Sequence, residues 1–176
     1  YTDMALRRFF ETASKMPWYN NTVFVITADH TSALSHYEDY QNAVGVFKVP
    51  VIFFTPDSTL RGMKDIMAQQ ADIFPTLVDY LGMNDTILAF GKSVLRDTSE
   101  EFVVNCYSGI YQGFYKDLVM QFDGNKPLAL YKFKEDVRLQ HNLLGQYPEE
   151  EKLLLAKLKA YIQQYNNRVR NNKMLP

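Results

Sequence analysis

An aspartate and a histidine stand side by side in the first part of the chain, at Asp29 and His30. They follow Thr22 to Thr27, a run of β-branched and aromatic residues that predicts a buried strand. Ligands in open α/β sheets gather at the C-terminal ends of strands, so the pair lies where a site is expected. A carboxylate oxygen beside an imidazole nitrogen suits Zn or Mn. Two donors do not close a metal site, so a turn-capping Asp29 beside a hydrogen-bonded His30 stays an open alternative.

Other residues that could do chemistry are assigned to solvent or to packing. His36 follows the pair closely enough to reach it from a loop, but it is interpreted as a solvated loop histidine. His141 is interpreted as a surface or packing residue, and Cys106 as a small core residue. Gly91-Lys92-Ser93 resembles the end of a phosphate-binding loop, but Thr86 stands where the first glycine is required, so nucleotide binding is rejected. Strand aromatics that could line a cleft are assigned to the core: Tyr107, Tyr111, Phe114 and Tyr115.

The composition fits a globular protein and excludes some classes of function. The chain has 176 residues, of which 47% are hydrophobic and 22% charged. Nineteen basic residues against twenty acidic ones give a net charge of -1, so there is no basic field and nucleic acid is not an expected partner. No apolar run approaches the roughly 20 residues of a membrane-spanning helix. A single cysteine excludes an intramolecular disulfide.

Residues 1–97 predict an α/β sheet with helices on its faces. Helical spacing of apolar residues predicts a helix over residues 3–16, and apolar runs predict strands over 22–27 and 50–54. A second helix is expected to be capped by Asp72 and to end at Gly82. Because helices and strands alternate, the two strands are expected to be parallel neighbours in one sheet. The predicted buried face of the second helix consists of Ile73, Phe74, Leu77, Val78 and Leu81.

Residues 98–176 predict a separate subdomain, because consecutive strands replace the alternation. The apolar runs at 102–104, 114–122 and 128–133 predict a small antiparallel sheet, with a turn at residues 123–125. A long helix is expected to begin at Pro148, where three glutamates suit the helix dipole, and to pack on that sheet. Its predicted apolar face consists of Leu154, Leu158, Ile162, Tyr165 and Val169.

Several segments resemble sulfatases and lipoteichoic acid synthase-like phosphoglycerol transferases of the alkaline phosphatase superfamily. Residues 18–31, Trp-Tyr-Asn-Asn-Thr-Val-Phe-Val-Ile-Thr-Ala-Asp-His-Thr, are similar to the segment that delivers the family's Asp-His metal pair. Residues 48–56 resemble the next strand, and Ala-Asp-Ile-Phe-Pro-Thr-Leu at 71–77 resembles the downstream helix. Leu130-Tyr131, Asp136 and His141-Asn142-Leu143 resemble the end of the C-terminal subdomain. The similarity is collinear from about residue 1 to residue 160, and it implies that residues 1–97 are the C-terminal part of a three-layer α/β/α catalytic domain.

The resemblance implies an enzyme in which a Thr, Ser or formylglycine nucleophile attacks phosphorus or sulfur beside one or two metal ions. It assigns Asp29 and His30 to a divalent metal, Mn or Zn with Mg or Ca as alternatives. It assigns no catalytic residue to this chain, because the family's nucleophile lies N-terminal to the first helix. Cys106 is followed by Tyr-Ser-Gly-Ile and does not match the sulfatase pattern Cys or Ser-x-Pro-x-Arg.

Three functions remain open on this basis. Thr-Ala-Asp-His-Thr at 27–31 is more similar to the lipoteichoic acid synthase side of the family than to the Ser-Asp-His-Gly of many sulfatases, which favours phosphoglycerol transfer or a related phosphoester reaction. A sulfatase is the first alternative, and a non-catalytic domain with the same fold is the second. The resemblance further implies an intact protein outside the cytoplasm, anchored by N-terminal membrane helices, that acts on phospholipid headgroups or glycan esters. The strand beginning at Thr22 is expected to expose an apolar edge that either self-association or upstream chain would cover.

Overall fold

The computed structural model describes residues 1–32, 36–96 and 101–175. The chain divides into two compact units, one formed by Tyr1–Asp29 with Val49–Asp65, the other by His30–Lys48 with Ile66–Pro176. The domain boundary predicted between residues 97 and 98 lies outside the described residues. The boundary between these two units falls on the Asp29–His30 peptide and on either side of Val49–Asp65.

The first unit contains helix α1 (Thr2–Ala13) and strands β1 (Phe24–Thr27) and β2 (Val51–Phe54). Phe10 of α1 meets Phe24 and Phe54 of the two strands, with ring centroids 5.1 and 5.6 Å away. The phenyl rings of Phe24 and Phe54 lie 5.8 Å apart, so three aromatic side chains join the helix to the strand pair. The helix is three residues shorter at its C-terminal end than the predicted range.

The predicted parallel pairing of β1 and β2 is wrong, although the two strands are neighbours. They pair antiparallel, with Phe24 opposite Phe54 and Thr27 opposite Val51. A parallel neighbour needs a crossover, usually a helix, that carries the chain back to the starting end of the sheet. In the described part of residues 28–50, the regular structure is confined to two 3₁₀ turns, Glu38–Tyr40 and Gly45–Phe47. The connection therefore returns the chain beside the end of β1, and the next strand runs in the opposite direction.

The second unit contains helix α2 (Ile73–Tyr80), which follows a 3₁₀ turn at Gln70–Asp72. Gly82 lies just past the end of the helix, at the predicted cap position, with a φ of 62°. Asp72 precedes the helix as predicted, but its carboxylate does not cap it. Oδ2 accepts the backbone N–H of Gln69 at 2.9 Å, and Oδ1 accepts that of Lys92 at 2.8 Å. The prediction of which α2 residues are buried is also partly wrong. Phe74 and Leu81 are exposed, whereas Pro75, Thr76 and Val78 are buried.

An antiparallel sheet forms the centre of the second unit, as predicted, but it has four strands where three runs were predicted, in the order β3-β4-β5-β6. The run at 114–122, predicted as a single strand, is broken by a turn at Lys116, whose φ is 56°. The turn at 123–125 is present, with Asp123 Oδ1 accepting the backbone N–H groups of Asn125 and Lys126. The strands are β3 (Phe102–Tyr107), β4 (Ile110–Tyr115), β5 (Leu118–Phe122) and β6 (Pro127–Lys132).

Helix α3 (Pro148–Arg170) packs on one face of this sheet, as predicted. Its Leu154 and Leu158 are fully buried, and Leu154 joins a cluster with Leu118, Met120 and Leu130 of the strands. Tyr165 and Val169, at the C-terminal end of the predicted apolar face, are about half exposed. Among the helices of residues 1–32, 36–96 and 101–175, none has the length and apolar character needed to cross a membrane.

Candidate functional site

The predicted metal pair follows the last residue of β1 with one residue between. The strand ends at Thr27, Ala28 intervenes, and the side chains of Asp29 and His30 are both exposed. Antiparallel pairing does not change this placement, because the pair still leaves the C-terminal end of a strand. The position predicted from the sequence is therefore confirmed, whereas the ligand role of the two residues stays a prediction.

The imidazole of His30 is oriented by the chain that follows it. Its Nδ1 lies 2.7 Å from the carbonyl oxygen of Thr31. A carbonyl oxygen can only accept, so Nδ1 carries the proton in this hydrogen bond. In the neutral ring the lone pair then belongs to Nε2, which is the atom that can bind a metal. A ligating histidine that donates its other ring nitrogen to a carbonyl or carboxylate is the usual arrangement at metal centres.

The backbone of Thr31, which accepts this hydrogen bond, is itself held by a further one. The N–H of Thr31 donates to the carbonyl of Val46 at 2.9 Å, within the second unit. The hydroxyl oxygen of Thr31 is buried and has no hydrogen-bond partner among the described residues. The residue that accepts the His30 proton is therefore anchored through its backbone, and its side chain retains an unused hydrogen-bonding atom.

The donor set fits part of a metal site. One carboxylate and one imidazole with a defined tautomer match the ligands that Zn or Mn takes from proteins. No group of three or more His, Cys, Asp and Glu side chains that could hold a metal ion occurs within the described part of the chain. His36 is exposed and belongs to no such group. Further ligands would have to come from outside the described residues.

The other candidates are assigned by their contacts. The interpretation of Cys106 as a core residue is wrong, because its side chain is exposed near the end of β3, an edge strand of the sheet. His141 is exposed, as predicted, and its backbone N–H donates to Asp136 Oδ2 at 2.7 Å. Hydrogen bonds from the backbone N–H groups of Gln140 and then of His141 hold the pKa of Asp136 below its ordinary value.

The Gly91-Lys92-Ser93 segment packs against helix α2. Ser93 is buried, and its hydroxyl donates to Asp79 Oδ2 at 2.6 Å. A side chain on Gly91 would collide with the backbone of Ala71 and the carboxylate of Asp72. These contacts give the segment a structural role. Of the strand aromatics, Phe114 is buried as predicted, whereas Tyr107 is 44% exposed and meets Phe47 edge-on at 6.2 Å.

Comparison with known proteins agrees with the superfamily resemblance. Residues 1–83, which include Asp29 and His30, match the family model described as sulfatase. No curated protein matches the chain. A crystal structure of a protein in the alkaline phosphatase superfamily from Vibrio parahaemolyticus matches with a TM-score of 0.81 and 20% sequence identity, covering 100% of this chain and 42% of that one. At this identity the likeness shows the fold alone, and the chain spans less than half of that protein's length.

Proposed function

We propose that Asp29 and His30 are metal ligands of a phosphoglycerol transferase or phosphoesterase of the sulfatase family. In this proposal the nucleophile and the remaining ligands lie N-terminal to Tyr1, and this chain supplies the Asp-His pair together with the C-terminal subdomain. Members of the superfamily are hydrolases or transferases, and they are generally metal-dependent. The match of residues 1–83, which include the pair, to the sulfatase model supports the family, and the structural likeness supports the fold.

One observation carries the proposal more than any other. His30 donates Nδ1 to a backbone carbonyl at the end of a strand, immediately after an aspartate. A histidine in a solvated loop has no need of a fixed tautomer, whereas a ligand does, because only one nitrogen can face the ion. The exposure of both side chains suits donors that are completed by other parts of a larger protein.

The chemistry follows from what such a site contributes to ester transfer. A divalent ion bound there would act as a Lewis acid, offsetting the negative charge that develops on the ester oxygens and on the attacking oxygen. Asp29 contributes a hard anionic oxygen, and His30 contributes a neutral nitrogen through Nε2. In this proposal Asp29 and His30 therefore bind and orient the metal ion, and the nucleophile is supplied by residues N-terminal to Tyr1.

Phosphoester chemistry is proposed over sulfate ester chemistry because of the residues flanking the pair. Ala28 and Thr31 are the residue types that flank the Asp-His pair on the lipoteichoic acid synthase side of the family, according to the resemblance. On this proposal the substrates are phospholipid headgroups or glycan esters, and the intact protein works outside the cytoplasm, anchored by N-terminal membrane helices. Mn or Zn is the expected ion. The sulfatase alternative is favoured by the family model itself, and a non-catalytic domain is favoured by the incomplete donor set in the described residues.

The test uses the full-length protein that contains this chain. Turnover of a phosphodiester or phosphoglycerol substrate and of an aryl sulfate is measured for the parent and for the Asp29→Asn, His30→Ala and His141→Ala variants. We expect phosphoester turnover to exceed sulfate turnover. Asp29→Asn and His30→Ala should each lower it by roughly 100-fold or more, because loss of a residue that only supports a metal ligand already costs about 10- to 100-fold. His141→Ala, which removes another exposed histidine, should leave turnover unchanged.

The possible results separate the three functions. Aryl sulfate hydrolysis without phosphoester activity would establish the sulfatase alternative. Absence of both activities in a folded, metal-supplemented parent protein would favour the non-catalytic domain. Full activity in both the Asp29→Asn and His30→Ala variants would contradict the assignment of the pair.

A further inference from the structure

The segment after the Asp-His pair is held against the second unit by its own side chains. Val44 is buried and packs with Phe114 and Val119 on the face of the sheet opposite helix α3. Gly45 is also buried, and a Cβ there would collide with the backbone carbonyl of Asp39. The turn at residues 39–45 is therefore compact, and Val44 fixes it to the sheet.

Asn42 joins this turn to a different part of the same unit. Its Oδ1 accepts the backbone N–H groups of Val44 at 3.0 Å and of Gly45 at 2.9 Å. Its Nδ2 donates to the carbonyl of Val137 at 2.8 Å, in the loop after β6. The side-chain oxygen of Asn42 therefore shapes the turn, and its side-chain N–H group holds the turn to a residue 95 positions later in the chain. A second fastening is an ion pair between Glu38 and Arg138.

A continuous series of hydrogen bonds leads from Asn42 to the imidazole of His30. The carbonyl of Asn42 accepts the N–H of Val46 at 3.1 Å, and the carbonyl of Val46 accepts the N–H of Thr31 at 2.9 Å. The carbonyl of Thr31 then accepts His30 Nδ1–H at 2.7 Å. Each bond ends at a residue whose backbone makes the next bond, so the turn held by Asn42 positions the Thr31 backbone that selects the His30 tautomer.

We propose that Asn42 is a positioning residue for His30, which holds the Nδ1–H tautomer in place so that Nε2 is the nitrogen offered to the metal. The inference deepens the proposed function and rests on it for the role of the metal, but the effect of Asn42 on the imidazole is independent of any ion. Aspartate keeps the acceptor but loses the donor to Val137, and alanine loses both.

The test reads the His30 ring directly. Two-bond ¹H–¹⁵N NMR spectra distinguish Nδ1–H from Nε2–H imidazole, and they are recorded on the 176-residue chain at a pH well above the ordinary imidazole pKa. The variants are Asn42→Ala, Asn42→Asp and, as a control, Ser93→Ala. The control removes the Ser93 bonds to Asp79 and Leu95 in the same unit, so it disturbs a buried polar contact without touching the turn.

We expect the parent chain and Ser93→Ala to show the Nδ1–H tautomer, Asn42→Ala to lose it, and Asn42→Asp to lie between them. Zn²⁺ affinity should follow the same order, falling roughly 10-fold in Asn42→Ala, the lower end of what loss of a supporting residue costs at metal sites. An unchanged His30 spectrum in folded Asn42→Ala would overturn the inference. If the spectrum changes as expected while no variant binds Zn²⁺, Asn42 positions His30 and the proposed metal function fails instead.

Discussion

The imidazole of His30 presents one nitrogen for coordination, because the other is donated to the carbonyl of Thr31. The sequence predicted the Asp29-His30 pair and its position after a strand. It could not predict the tautomer, because the carbonyl that selects it is oriented by Val46 and Asn42, which lie 15 and 11 residues away from Thr31. Asn42 was missed for the same reason. An asparagine two residues before Val44-Gly45 indicates a turn. Only the structure shows that its side chain also donates to the carbonyl of Val137.

A second feature at the residue scale is the buried amide of Gln112. The side chain is fully buried, and neither its oxygen nor its nitrogen has a hydrogen-bond partner among the described residues. Asn105 lies directly opposite on β3, and its Oδ1 is also buried without a partner in that part of the chain. Burial of an unsatisfied amide costs about 1–3 kcal/mol.

We therefore predict that Gln112→Met, which keeps the volume and removes the amide, raises the free energy of unfolding by about 1 kcal/mol. Urea denaturation followed by circular dichroism measures it. Gln121→Met, on the neighbouring strand and only half-buried, is the control and should change stability by less than about 0.5 kcal/mol. A clear loss of stability in Gln112→Met would mean that an ordered water molecule satisfies the amide.

At the element scale, the sequence predicted the type of most elements but not all of their connections. Periodicity located α1, α2 and α3, and apolar runs located the strands, because these signals are local. The direction of β2 was missed because alternating helices and strands normally imply crossovers, and the connection here is a polar loop with short 3₁₀ turns. The turn between β4 and β5 was missed because Lys116-Asp117 contains neither glycine nor proline. Cys106 was misassigned because the exposure of an edge strand is a tertiary property.

The packing of α3 on the sheet depends on the absence of a side chain at Gly113. A Cβ there would lie 3.3 Å from both terminal methyl carbons of Leu158, closer than side chains normally approach. Leu158 itself is fully buried. We predict that Leu158→Ala lowers the free energy of unfolding by about 2–5 kcal/mol.

Gly113→Ala should lower stability in the parent chain, because the helix has to shift outwards, and should be tolerated once Leu158 is alanine. A double-mutant cycle measured by urea denaturation should therefore give a favourable coupling of roughly 0.5–3 kcal/mol. Additive effects of the two substitutions would show that β4 and α3 do not meet at this point.

At the scale of the whole molecule, folding lowers the pKa of four described aspartates. Hydrogen bonds from Arg96 and then Ser93 lower the pKa of Asp79, and backbone N–H groups of Lys126 and then Asn125 lower that of Asp123. The pKa values of Asp57 and Asp136 are lowered by backbone N–H donors as well. A carboxylate whose pKa is lower in the folded chain contributes stability above its unfolded value of about 3.9, and this contribution is lost as the pH falls through the lower folded value.

We predict that the urea midpoint of the chain is steady at pH values well above about 4 and falls as the pH is lowered below that value. Asp79→Asn should reduce the midpoint at neutral pH, where its ion pair with Arg96 is lost, and should flatten the acid limb. Leu158→Ala serves as the control, since it lowers stability without changing a titrating group. Equal pH dependence in Asp79→Asn and the parent chain would contradict the assignment of the Asp79 contribution.

The central claim concerns the chain as a partial metal site, and calorimetric titration with Zn²⁺ and Mn²⁺ tests it most directly. The titrations use the 176-residue chain and its Asp29→Ala, His30→Ala and His141→Ala variants. Two exposed donors form an incomplete site, because a catalytic zinc site normally has three protein ligands. We predict weak binding by the parent chain and by His141→Ala, loss of that binding in Asp29→Ala and His30→Ala, and no ester turnover by any of them. Tight stoichiometric binding that survives both the Asp29 and the His30 substitutions would contradict the account.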